Sequence, residues 1–524
     1  MRTPRLLAVP LLLLALAACK KAPPPERFIA GDSGMALVIP SLERFAAQTS
    51  DVLDTAATFP GGQGIDDLRA VVESRFGFDL FDAASLAGAG FDPRRGAAVG
   101  FRMEEGAPPA AIFVLPAGDA KKLGEKLDVL AKDKLRLEAR AGETDPQEIV
   151  TWAPAAGAPA MLAYAFAEKN ALLAVGPDAL AHVQAALKVP KDGHLGTNAD
   201  YKLSVEATGP GQAMVWFVSP ASPMFALPQA AGFREMFKKG LAIGMSGAKE
   251  RLALAVGMGL ADDSPLLATG KADAGPLLAK LDPNAGWVMR SDVDLGPSLE
   301  LQKGILTTAA RDAGTPDAFA KALEQVLDAI GGAAAMGAGV VAAPAGALRE
   351  APLAFFRVEY VVGVKDEAKM KAALAELGKQ TVNRGGGSVD LGGDGPWTFP
   401  VGGGEVGVAV KDKQLLLAAG PTGALQALVA RTGTTFKPPT ATATKAFTGP
   451  MGGMFIDIPK LAGGLQVIPA AAYGDDPQGT VLHANVQKVA SALERFTAVS
   501  VGGELKGKAY RGELIIEVAP PPAK

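Results

Sequence analysis

Few residues of this chain have the type and spacing to do chemistry. Cys19 is the only thiol among 524 residues, and a thiolate is a nucleophile that can be alkylated or can ligate a metal. Ser33, in Gly31-Asp32-Ser33-Gly34, could attack a carbonyl only with a histidine base and an acid to orient that base. The chain has just His182, His194 and His483, far apart and without metal-ligand spacing. Ser33 also precedes any scaffold that could hold it, so it reads as a turn leading into a strand at 35–39. Ser246, in Gly244-Met245-Ser246-Gly247-Ala248, lacks the closing glycine of a nucleophile elbow and reads as part of a hairpin strand. Asp390 and Asp394, in the glycine-rich stretch 385–395, could offer oxygens to calcium. They form no complete calcium loop, and no glutamate stands at its twelfth position, so the stretch reads as a flexible hairpin tip. The residues therefore name no catalytic group, no cofactor and no metal beyond that weak calcium pair.

What surrounds Cys19 is more specific. Arg2 and Arg5 precede an apolar run from Leu6 to Ala18 that ends in small residues. A basic start, a short apolar core and a small-residue end make a secretory signal peptide over 1–18. The core is too short to span a bilayer as a stable helix. An exported chain with one unpaired thiol would be unusual, because exported cysteines generally pair. Leu16-Ala17-Ala18-Cys19 resembles the lipobox of bacterial lipoproteins. That resemblance implies cleavage before Cys19 and acyl chains on its sulfur and on the new amino terminus. More than one chain gives durable membrane anchoring. By the same resemblance, Lys20 rather than an aspartate after the cysteine implies the outer membrane. Residues 19–27 are then a tether stiffened by Pro23-Pro24-Pro25, holding the first domain close to the membrane.

The chain carries 52 basic and 55 acidic residues. Removal of 1–18 takes away Arg2 and Arg5 and no acid, leaving a net charge of −5. There is no basic excess to draw a polyanion, so nucleic acid is not an expected partner. With a single cysteine there is no internal disulfide. The mature length exceeds one ordinary domain, and burial alone must stabilise each of at least two.

An internal duplication divides the mature chain. Residues 166–177 align without a gap on 410–421, pairing Lys169 with Lys413, Leu172-Leu173 with Leu416-Leu417, and Gly176-Pro177 with Gly420-Pro421. Trp152 falls on Trp397, and Asp119, Lys122, Leu127 and Leu130 fall on Asp366, Lys369, Leu374 and Leu377. The order is preserved while the offset drifts by a few residues, as loop insertions would produce. The copies are expected over 28–265 and 266–518, with the boundary in the polar, turn-rich 259–270 and a proline-rich tail at 519–524.

Each copy reads as the same elements. Residues 161–166 and 172–175 form a hairpin about a turn at 168–170. Gly176-Pro177 follows, with Pro177 in the first turn of a helix whose stripe is Leu180, Val183 and Leu187. Upstream, a strand at 111–115 precedes a helix at 119–132 with Leu123, Leu127 and Leu130 on one face. The second copy repeats this at 355–364 and 366–379. Terminal hairpins are expected at 241–245/252–258 and 498–505/510–518. Thr315-Pro316-Asp317 opens a helix that buries Phe319, Leu323, Val326, Leu327 and Ile330. Ile65, Leu68, Val71, Val72 and Phe76 form the corresponding face of a helix in the first copy. The uncharged 329–348, mostly alanine and glycine, reads as loop plus buried strand rather than a membrane span. Arg94 and Arg95 after Asp92-Pro93 read as a charged turn. Hairpins dominate, so the expected class is α+β: two tandem homologous domains, each a mainly antiparallel sheet with packed helices.

This order of elements, with Lys413-Gln-Leu-Leu-Leu-Ala-Ala-Gly-Pro421, resembles an uncharacterised class of exported bacterial proteins. The resemblance brings no activity with it. The expectation is a non-catalytic, lipid-anchored envelope scaffold or binding module. A carrier of lipid or another apolar ligand, and a carboxylate-dependent hydrolase, are the alternatives. Expected partners are the membrane, through lipid on Cys19, and an envelope protein or lipid.

Overall fold

The structure, a computed structural model, describes residues 22–59, 62, 64–102, 110–140, 148–223, 238–300, 303, 317–341, 348, 350–382 and 395–520. It is α+β with antiparallel strand pairing throughout its named strands. The chain groups into two compact units. One holds the described residues up to Ala47 together with Leu68–Lys202 and Met214–Ser222; the other holds Gln48–Asp67, Leu203–Ala213 and Pro223–Lys524.

The first unit contains β1 (Met35–Ile39), β2 (Ala97–Arg102), β3 (Ala110–Pro116), β4 (Glu138–Arg140), β5 (Val150–Ala153), β6 (Leu162–Ala167), β7 (Asn170–Val175) and β8 (Met214–Val218). Their order is β8-β1-β2-β3-β7-β6-β5-β4. The second unit contains β9 (Leu241–Ala248), β10 (Arg251–Gly259), β11 (Trp287–Ser291), β12 (Ile330–Val340), β13 (Phe356–Val364), β14 (Trp397–Val401), β15 (Gly404–Lys411), β16 (Gln414–Gly420), β17 (Gly452–Asp457), β18 (Phe496–Lys506) and β19 (Ala509–Val518). Their order is β9-β10-β19-β18-β17-β11-β12-β13-β16-β15-β14.

The run β8-β1-β2-β3-β7-β6-β5 has the same connectivity as β17-β11-β12-β13-β16-β15-β14, so the duplication read from the sequence is a duplication of topology. The equivalent turns agree in backbone conformation. Glu168 and Lys169 have φ +48 and +64, and Asp412 and Lys413 have +54 and +56. Two consecutive left-handed residues make the tight hairpin turn whose twist suits the flanking strands. The helix after each hairpin starts later than Pro177 implies. Asp178 at φ +60 and Gly423 at φ +88 occupy the cap positions, and the helices run Ala179–Leu187 and Ala424–Ala430. The first of these buries Ala179, Val183 and Ala186, whereas Leu180 is exposed.

The terminal hairpins form as expected, but the turn-rich 259–270 does not separate the units. β9 and β10 precede it, yet β10 pairs along its whole length with β19. The first copy's terminal hairpin thus belongs to the second unit. The Asp317–Ala329 helix forms, with Val326 and Ala329 in the core, and Ile330 opens β12. Thr315 and Pro316 lie outside the described residues. The Gly64–Phe76 helix forms too, but its expected buried face is wrong: Leu68, Val71 and Phe76 are 46%, 49% and 42% exposed. Apolar spacing reports which residues share a face, not that something covers it. Among the described residues, no helix is long and apolar enough to cross a membrane.

Candidate binding groove

The two terminal hairpins meet through their second strands, with Ala255 of β10 opposite Glu513 of β19 and Gly257 opposite Arg511. Side chains alternate along a strand, and directly opposed residues share a face. Arg251, Arg511, Glu513 and Ile515 therefore share one face with Gly502 and Glu504 of β18. Glycines set the walls around it. A Cβ on Gly257 would lie 2.0 Å from the Ser204 carbonyl oxygen, and one on Gly502 would lie 3.1 Å from Ala446. These strands accept the segment at Ser204 on one side and the Ala441–Phe447 helix on the other because both positions lack a side chain.

Beside the Ala441–Phe447 helix is an open groove of about 440 Å³, lined by Arg251, Lys445, Glu504, Arg511 and Glu513 among others. A neighbouring hollow of about 270 Å³ shares Arg251, Arg511 and Glu513 and adds Gln48 and Gln212. Arg511 lies 3.4 Å from Glu513 and 3.7 Å from Glu504, and Arg251 lies 3.7 Å from Glu513. These are long, partly solvated pairs of little strength, so a ligand could exchange them for its own. Three cations against two carboxylates suit a polar partner with an anionic group. Neither hollow is lined by a histidine or a cysteine.

A second charged cluster is sealed rather than open. Glu359 on β13 is 1% exposed. Its carboxylate accepts Arg431 Nη1 at 3.0 and 2.9 Å and the Asp282 backbone N–H at 2.6 Å. Arg357 pairs with Asp282 and lies 4.0 Å from Glu359. Burial pushes the Glu359 carboxyl above the usual range, and Arg431 pulls against it. Two acids do converge here, but each is already held by a guanidinium. The cluster ties the Asp282 turn and the end of the Ala424–Ala430 helix to the sheet, beside a hollow of about 400 Å³. The sequence carries a signal for it, because Arg357 and Glu359 interrupt an otherwise apolar strand on one face.

Cys19, Asp390 and Asp394 lie outside the described residues. The chain is already seated at Pro23, inside the expected tether. Arg95 donates to the Pro23 carbonyl at 3.2 Å, and also to the Lys169 carbonyl at 2.6 Å and Asn170 Oδ1 at 2.9 Å. Tyr201 donates its hydroxyl to Glu26 at 2.9 Å, and Arg27 donates to the Val189 carbonyl at 2.7 Å. Burial, together with the Glu26 carboxylate, pushes the Tyr201 hydroxyl upward. Phe28 and Ile29 are buried.

Ser33 lies in the expected turn before β1 and lines a hollow of about 90 Å³ together with His182. No hydrogen bond joins the two and no carboxylate lines the hollow, so the parts of a serine nucleophile are not brought together. Ser246 lies within β9. The His483 ring lies 5.1 Å from that of Tyr473, tilted by 46°, and meets Gln487, while His194 sits against the seated N-terminal segment. No group of three metal-ligating side chains occurs among the described residues.

No family model matches this chain, and no curated protein matches it. Solved structures that are similar include crystal form IV of TP0453, at 6% identity and a TM-score of 0.25, covering 47% of this chain and 85% of that one. Crystal form III of the same protein gives 6% and 0.26, covering 48% and 86%.

Proposed function

We propose that this chain is a bacterial envelope lipoprotein, anchored through acyl chains on Cys19, that acts as a non-catalytic scaffold or binding module. The observation that carries the binding role is the groove over β10 and β19. The duplication places the two terminal hairpins side by side there, under a set of loosely paired arginine, lysine and glutamate side chains. Groups that trade weak mutual contacts for a ligand's charges bind without reacting. The acids that converge elsewhere, Asp282 and Glu359, are engaged by arginines, which favours binding over carboxylate hydrolysis. Anchoring in the outer membrane follows from Lys20 after the cysteine and is part of the same reading.

A second reading, a carrier of an apolar ligand with an anionic head, draws on another groove. The Asp317–Ala329 and Glu367–Val382 helices flank about 790 Å³ lined by Ala322, Ala329 and Ala373, with Lys321, Lys365 and Lys369 among the charged residues. That volume is in the range of small-molecule sites.

Native mass spectrometry of the mature chain lacking Cys19, purified from a bacterial envelope, separates the two. A bare mass supports the binding module. An added lipid mass, lost on denaturation, would replace that reading with the carrier.

A further inference from the structure

We infer that the first unit has a built membrane-facing edge, made by the turns at 92–95 and 168–169, which rests on anionic lipid headgroups. This rests on the reading that Cys19 carries the anchor. Pro23 is the fourth residue after Cys19, a reach of at most about 14 Å even when fully extended. Pro23 is not a free end, because its carbonyl is held by Arg95. The same guanidinium holds the Lys169 carbonyl and Asn170. One arginine therefore ties the root of the tether to both turns, and whatever lies at that root lies within a few residues' reach of the bilayer.

The chemistry at that root suits such a surface. Both turns are locally fixed: Asp92 accepts from the Arg94 backbone N–H at 3.3 Å, and Glu168 and Lys169 hold the left-handed pair of a tight hairpin. The Arg94 side chain is 83% exposed, and Lys169 is exposed. In sequence Lys20 and Lys21 follow Cys19 directly, and at the root Arg94 and Lys169 stand with Asp92 and Glu168, the Arg94 Nε lying 3.4 Å from Asp92. Basic groups within a Debye length of an anionic surface add to the hold of an acyl chain. Seating the chain from Pro23 to Ile29 turns a tether into a mount with a set orientation.

The single thiol permits a direct test on the full mature chain. Unacylated protein beginning at Cys19 is coupled through that thiol to a maleimide-bearing lipid. The vesicles are either phosphatidylcholine alone or phosphatidylcholine with phosphatidylglycerol. Backbone hydrogen exchange is then followed at 92–95 and 168–170. Coupling to the anionic vesicles is expected to slow exchange there several-fold, with a smaller effect on neutral vesicles. The double variant Arg94→Glu, Lys169→Glu should couple equally well and lose the slowing. Unchanged exchange on anionic vesicles, or equal slowing on both kinds, overturns the inference. Because the anchor is attached chemically, neither result depends on whether cells acylate Cys19, which a separate mass measurement decides.

Discussion

Arg431 donates to both carboxylate oxygens of Glu359, at 3.0 and 2.9 Å, where Glu359 is almost wholly out of water. Removing one partner of a buried pair leaves an uncompensated charge and costs about 3–5 kcal/mol. Arg431→Met should destabilise the second unit by that order, and the added change Glu359→Gln should restore much of the loss. The pH dependence has a definite sign. Without Arg431 the folded-state pKa of Glu359 rises further above its unfolded value of about 4.3. The folded state then binds the proton more tightly, so stability falls as pH rises above that value and returns on acidification. Denaturant unfolding of the variant at pH 7 and pH 5 checks this, with the variant closer to wild type at pH 5.

Asp119 and Asp366 are matched by the repeat and do the same work. Asp119 accepts from the backbone N–H groups of Lys121 and Lys122, both at 3.1 Å; Asp366 accepts from those of Ala368 and Lys369, at 3.0 and 3.1 Å. Each satisfies two donors that a helix start leaves without partners. Asp119→Ala and Asp366→Ala should each cost about 1 kcal/mol, and Asn at either position should cost less. Hydrogen exchange should report each loss in its own helix, at Leu123 for the first and Met370 for the second.

These caps show what a sequence can make legible. A local pattern that recurs in both copies is visible twice, so the hairpin turns at 168–169 and 412–413, their flanking strands and the match of Asp119 with Asp366 are legible in the sequence. Long-range relations could not. Nothing local to Arg95 says that it will gather Pro23, Lys169 and Asn170, and nothing near 259–270 says that β10 will find β19 some 250 residues on. The groove is hidden for that reason: Arg251 and Arg511 lie far apart in sequence and come to one face only when β10 and β19 are laid side by side. Leu68, Val71 and Phe76 differ in the other direction: helical spacing sets them on one face, but only the packing of neighbours decides burial, and they stay exposed.

His194 ties the N-terminal seat to pH. Burial lowers its pKa from the ordinary value; Arg27 and Lys202 add to the lowering, and Glu26 opposes it. The folded state thus prefers the neutral ring. Stability from this site is full above the unfolded value of about 6.5 and is lost as pH falls from there toward the folded value. The Leu195 N–H donates to the Ile29 carbonyl at 2.8 Å and reports directly on the seat. Its exchange, corrected for intrinsic rate, should quicken between pH 7 and pH 5 in the wild-type chain, and His194→Gln should flatten that dependence.

The anchor is the central claim, and intact-mass analysis of the chain extracted from bacterial membranes tests it most directly. The account predicts a mature chain that begins at Cys19 and carries the mass of its acyl chains. Cys19→Ala should remain uncleaved at that position and lack that mass. A mature chain that begins elsewhere, or one that begins at Cys19 with a free thiol, would contradict the account.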